Sequence, residues 1–157
     1  MTGQEINEFS VKISQANKTG LIVIMYEMAI KYIDDGMKAL NNNNVEEYRL
    51  NLKKSKAVIN ELTSVLDMTQ VISFELRSLY VFINNVLVRA DIRVETEELI
   101  RVREMLVKLS NAFSKVSKSD KSGPVMENTQ QLYAGLTYSK NSLNEDMYSD
   151  INRGFKV

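Results

Sequence analysis

Apolar residues recur along residues 19–117 at alternating spacings of three and four, the period of an amphipathic helix rather than a strand. One such line is Val23, Tyr26, Ile30, Ile33, Met37 and Leu40, ended by the "NNNN" loop at 41–44. A second helix runs from about Val45 to Leu66 on the line Tyr48, Leu52, Ser55, Ile59, Leu62 and Leu66. After a break at "DMTQ" (67–70), a third carries Ile72, Leu76, Leu79, Ile83, Val86 and Ala90. A turn near "DIRVE" leads to Thr96, an expected N-cap, with Glu97 and Glu98 suited to the positive end of the helix dipole. The fourth line is Leu99, Val102, Leu106, Leu109, Phe113 and Val116. Each helix is about 22 residues, roughly 33 Å at 1.5 Å per residue. Matched lengths, short loops and seven-residue seams predict an all-α, antiparallel up-down four-helix bundle. The domain limits are an N-terminal arm over 1–17, the bundle over 18–117, and a linker and C-terminal tail over 118–157.

Two helices carry more apolar surface than a bundle requires. In "TGLIVIMYEMAIKYIDD" (19–35) a second seam of Leu21, Met25, Met28 and Tyr32 flanks the first, and Glu27, Lys31, Asp34 and Lys38 share the remaining stripe with Ile24. That apolar arc is about twice the ~100° a surface helix needs. In the third helix Phe74, Val81 and Val88 recur every seven residues opposite the core line, flanked by Arg77, Asn84, Ser78 and Asn85. Such surplus is covered either by the chain's own ends or by a partner. The arm offers Ile6, Phe9 and Ile13 as a displaceable cover, and the tail offers Leu132, Tyr133, Leu136 and Tyr138.

Composition narrows the chemistry. Lysine plus arginine and aspartate plus glutamate number 20 each, so no strongly basic face is expected for nucleic acid. With no cysteine and no histidine, thiolate chemistry, zinc sites and imidazole general bases are excluded, and the core lines hold no acids for a carboxylate-metal centre. No enzyme and no cofactor are expected. "MTGQEINEFS" lacks the basic and apolar regions of a signal peptide. The first helix meets a charge at Glu27, short of the roughly 20 apolar residues of a membrane span, so no membrane insertion is expected. The linker "SKSDKSGP" opens a tail of scattered aromatics without a sustained stripe.

Several segments together resemble the flagellin export chaperones of the FliS family. "LIVIMYEMAIKYI" (21–33) is similar to the family's first-helix pattern L-x-x-M-L-Y-D-G-A-I-x-F-L, with Ile24, Met25, Tyr26, Ala29, Ile30, Tyr32 and Ile33 on matching positions. "INELTSVLD" (59–67) and "LYVFINNVLVRADI" (79–92) resemble its second and third helices, and Phe113 stands where a tryptophan often closes the fourth. The likeness spans about residues 6–117. Glu27 and Met28 depart from the usual Asp-Gly, and Asn17-Lys18 from the usual Ser-Pro, so Asn17 or Thr19 is expected to cap the helix.

The resemblance implies a cytoplasmic, non-enzymatic chaperone. It would bind the disordered C-terminal segment of flagellin, prevent premature polymerisation and present the cargo to the flagellar export apparatus. An apolar groove on a helical bundle is also how a protein captures an amphipathic helix, and Met25, Met28 and Met105 suit an adaptable surface. The expected flagellin-binding groove is Phe74, Val81 and Val88 with Tyr80 and Leu87 beside them. A regulatory bundle that sequesters a transcription or translation regulator fits the same composition.

Overall fold

A computed structural model describes residues 1–126. These form five helices and, among the described residues, no strand: α1 (Gly3–Gln15), α2 (Lys18–Asn41), α3 (Val45–Ser64), α4 (Val71–Arg93) and α5 (Glu97–Ser119). The all-α class is as expected, and four of the five helices match the apolar lines to within a few residues.

Local chemistry sets most of the ends. Asn17 caps α2, its side chain accepting from the Gly20 amide at 2.7 Å, and Asn44 caps α3 through the Glu47 amide at 3.0 Å. Thr96 precedes α5, but its side chain makes no capping bond, so the expected cap there is only positional. The loop between α2 and α3 turns through Asn43 at φ 57°, a conformation asparagine tolerates. Val94 ends α4 at φ 56°, which is costly for a β-branched residue. Its packing against the core holds it there.

α2 packs most extensively against α3, then against α5, while α4 rests on α3 and less extensively on α5. The α2–α3 approach depends on small side chains. Ser55 donates to the Ala29 carbonyl at 3.2 Å, and Gly36 faces Tyr48 and Leu52. Three tyrosines, Tyr26, Tyr48 and Tyr80, are buried in the core with Ile33, Leu52 and Ile83 around them. Tyr26 and Tyr80 join α2 to α4 hydroxyl to hydroxyl, and Phe113 lies 5.6 Å from the Tyr26 ring. The Tyr48 hydroxyl donates to the Ala90 and Glu95 carbonyls at 3.0 and 2.6 Å, closing the α4–α5 turn.

Three core assignments change. The buried residues of α4 are Ser73, Leu76, Tyr80, Ile83, Val86, Leu87 and Ala90, while Ile72 is exposed in the first turn. Val116, in the last turn of α5, is exposed as well. Both lie in the less extensively packed α4–α5 pair, where neither terminal turn is enclosed. Ile24, placed on the charged stripe of α2, is buried.

Gly36 gives a clean stability test. A Cβ there would meet its nearest neighbours at 3.5–3.7 Å, which is ordinary contact, and glycine inside a helix costs up to about 1 kcal/mol relative to alanine. Gly36→Ala should therefore raise the urea midpoint without changing the slope of the transition. Gly36→Leu should lower it by forcing α2 and α3 apart.

Candidate binding surface

The residues expected to form one groove divide between two environments. Phe74, Val81 and Val88 lie along the outward face of α4, 57, 50 and 36% exposed, and exposed Ile92 extends the row. Tyr80 and Leu87 are 1 and 0% exposed and belong to the core, correcting their place beside the row. The cause is helical geometry: each precedes a row residue by one position, which turns it about 100° inward. What they do is anchor the row from beneath.

The N-terminal segment is a regular helix. Thr2 and Glu5 form a reciprocal capping box, the Thr2 side chain accepting from the Glu5 amide and Glu5 accepting from the Thr2 amide. The T-x-x-E spacing and the Ile6, Phe9, Ile13 periodicity were the signals available for it in the sequence. Among the described helices α1 packs on α2 alone and does not touch α4, so the expected cover does not lie over the Phe74 row. Phe9 and Ile13 are half-buried, Ile6 is exposed, and no residue of α1 is fully buried.

Charge holds much of this contact. Lys12 pairs with Glu27 at 2.9 Å, and Lys31 bridges Glu5 at 2.9 Å and Asp35 at 2.7 Å. Asp35 also accepts from the Met1 amine at 2.7 Å. The stripe of Glu27 and Lys31 thus lies beneath α1, and so does Ile24. Lys31 hydrogen-bonds Glu5 and holds its carboxyl below the usual value, with the Thr2 amide adding to the effect. At Asp35 burial pushes the other way, but hydrogen bonds from Lys31 and the amine outweigh it and the net direction is down. Lys31 is raised, by Asp35 first and Glu5 second.

The α1–α2 turn is tied to the end of α5. Thr19 donates to Asp120 at 2.7 Å, and the Asn17 side chain donates to the Asp120 carbonyl at 3.1 Å. Hydrogen bonds from Ser122 and Thr19 hold the Asp120 carboxyl down at about 2. The Val125 amide donates to the Ala16 carbonyl at 3.0 Å, so the chain reaches Met126 beside this turn. The tail residues Leu132, Tyr133, Leu136 and Tyr138 lie outside the described residues.

A basic flank beside the α4 row was not read from the sequence. On α3, Arg49, Lys53, Lys56 and Asn60 share one face by their spacing. Asn84 of α4 donates to Asn60 at 2.7 Å, and Arg49 sits 3.6 Å from Asp91, which places that face against the edge of α4. Arg77, Asn84 and Asp91 recur every seven residues along this edge, next to Phe74, Val81 and Val88. The signal lay in two helices at once and needed their register to be seen.

This surface suits noncovalent capture of a chain. Among the described residues no group of three His, Cys, Asp or Glu side chains is placed to hold a metal ion. α4 is long and apolar enough by length and composition to cross a membrane, with 33% of its most apolar window buried. Its inward side is the core line carrying Tyr80, Ile83 and Leu87.

The α1 contact should respond to acid and to base. Glu5 and Asp35 are depressed, so their contribution is present above the ordinary values of 4.5 and 3.8 and is lost as pH falls through the depressed ones. Lys31 is raised, so its contribution is present below the ordinary 10.5 and fades as pH rises through the raised value. Methyl NMR shifts of Ile13 and Ile24 should move together at the acid edge of that window. Lys31→Met should produce the same shift at neutral pH. Unchanged shifts in both experiments would show that packing alone holds α1.

Known proteins match this helical body closely enough to place it. The family described as Flagellar protein FliS matches residues 4–120, from the first turn of α1 to the end of α5. A flagellar secretion chaperone FliS of Bacillus subtilis (strain 168) is 24% identical over 109 residues, covering 69% of this chain and 82% of the relative. With about three quarters of its length inside that match, this chain belongs to the FliS family of flagellar proteins.

Proposed function

We propose that this protein is a cytoplasmic flagellar secretion chaperone that binds the disordered C-terminal segment of flagellin, prevents its premature polymerisation and hands it to the flagellar export apparatus. Family membership supports the chaperone role. The observation that carries the binding site is the bare apolar row of Phe74, Val81 and Val88 on a helix whose other side is locked into the core. Soluble monomers rarely leave such a row uncovered. An amphipathic helix laid along it would bury alternate turns of its own apolar face.

The proposed scaffold is an up-down four-helix bundle of α2–α5. The cross-links support it because partner numbers fall on one helix as they rise on the next. Thr19 meets Asp120 while Asp34 meets Arg103 (2.6 Å), and Tyr48 meets Ala90 while Asn60 meets Asn84. α1 with Phe9 and Ile13 is the displaceable element, its site being α2 instead of α4.

Two experiments test this reading. A peptide covering roughly the last 40 residues of the cognate flagellin should bind one-to-one, gain helix on mixing and show a negative heat-capacity change. Circular dichroism equal to the sum of the parts, with no heat at several temperatures, would remove flagellin as the cargo. Val81→Asp should weaken that binding by about 2 kcal/mol or more while leaving the melting temperature nearly unchanged, as for an interface anchor. Ile83→Asp, on the inward line, should unfold the protein by burying an unpaired charge. Equal damage to the fold by both would place Val81 in the core.

A further inference from the structure

The α4 surface has a second feature that apolar capture does not use. Arg49, Lys53 and Lys56 of α3 and Arg77 of α4 line one side of the Phe74 row. Among the described residues only Arg49 has a carboxylate partner there, Asp91 at 3.6 Å. An occupant with an apolar stripe and acidic positions beside it would be complementary, and within this chain residues 143–151, "LNEDMYSDI", have that pattern. Leu143, Met147 and Ile151 are four residues apart, Glu145, Asp146 and Asp150 lie between them, and the segment contains no lysine or arginine.

The path permits the contact. Tyr26, near the start of α2, meets Tyr80, and Tyr48, at the start of α3, meets Ala90, so α4 begins at the end of the body where α2 begins. The chain reaches Met126 at that same end, through Val125 bonded to Ala16. The 17 residues from Met126 to Leu143 span up to about 55 Å extended, more than the roughly 34 Å length of α4.

We propose that residues 143–151 lie back along the outer face of α4, Leu143, Met147 and Ile151 on the Phe74 row and the acids toward Lys53, Lys56 and Arg77, and thereby compete with cargo. The docking stands without the chaperone reading; the competition rests on it. A tethered segment needs little intrinsic affinity, because its effective concentration is on the order of millimolar. Charge fixes its register, and its acidic positions exclude an unpatterned apolar chain.

Because the chain has no cysteine, engineered pairs report the contact directly. In the full-length protein under mild oxidation, Val81→Cys with Met147→Cys should form an intramolecular disulfide about tenfold faster than Val11→Cys with Met147→Cys, a tethered but misplaced pair. Adding Lys53→Glu and Lys56→Glu should bring the rate down toward that control. Equal rates, or disulfides that join two molecules, overturn the docking. In the otherwise unmodified chain, replacing Leu143, Met147 and Ile151 by serine should tighten flagellin-peptide binding about fivefold, by the fraction of time the face is closed. Unchanged peptide affinity overturns the competition. Peptide binding to neither protein removes the chaperone reading, and the disulfide rates still decide whether the segment docks.

Discussion

The rest of the structure depends on how completely α2 is enclosed. Of its residues only Lys18, Lys38 and Asn41 are exposed. Enclosure on one side needs a close approach of α3, which Ala29, Gly36 and Ser55 permit because a larger side chain at any of them would stand between the backbones. On another side α5 is held at both ends, through Arg103 on Asp34 and through Asp120 on Thr19. α1 occupies what remains. The two enclosures differ in kind. The inner one is apolar packing that survives changes of pH and salt. The outer one combines two half-buried side chains with ion pairs that solvent screens. The strongest and weakest contacts of the body therefore meet on one helix.

Enclosing α2 leaves α4 as the helix with apolar residues on both sides. Its inward side is fixed by hydroxyls as well as by packing, since Tyr26 reaches Tyr80 and Tyr48 spans Ala90 and Glu95. Burial raises all three phenols, Tyr48 to about 12, so they remain protonated donors throughout the physiological range. The outward row is thus presented on a helix with little freedom to rotate. For the proposed capture of a disordered segment, a rigid face matters because the cargo already carries the entropic cost of folding.

Four of the five helices, their spacing and most of the core were legible because a three-four repeat constrains one face of a helix whatever its neighbours are. Tyr48, Leu52, Ser55, Ile59 and Leu62 are all buried as their spacing indicates. Rotation about the axis was less legible in α4, where apolar residues on every side allow two candidate lines one position apart. Tyr80 and Leu87 fell on the wrong side of that choice, and Ile72 on the other. Ile24 was misplaced because its burial requires α1, whose own signal is a capping box and two turns of weak periodicity. The Phe74, Val81 and Val88 row was readable within one helix. Its basic flank was not, since Lys53 and Lys56 become neighbours of that row only once α3 and α4 are in register.

That flank also shows why overall charge is a poor guide to partners. Twenty basic and twenty acidic residues cancel in the sum, yet the fold gathers acids under α1, where Lys31 and Lys12 neutralise them, and, among the described residues, leaves Lys53, Lys56 and Arg77 without a carboxylate on the α3–α4 side. Apolar contact supplies most of the binding free energy of such a face but discriminates poorly between helices of similar shape. Charges at the rim add little affinity, while they fix orientation and speed encounter. A row of seven-residue period with a basic border is therefore selective in a way the row alone is not. For the proposed occupants, such a border favours an amphipathic segment that presents acids on one edge, whether that segment belongs to cargo or to the chain itself.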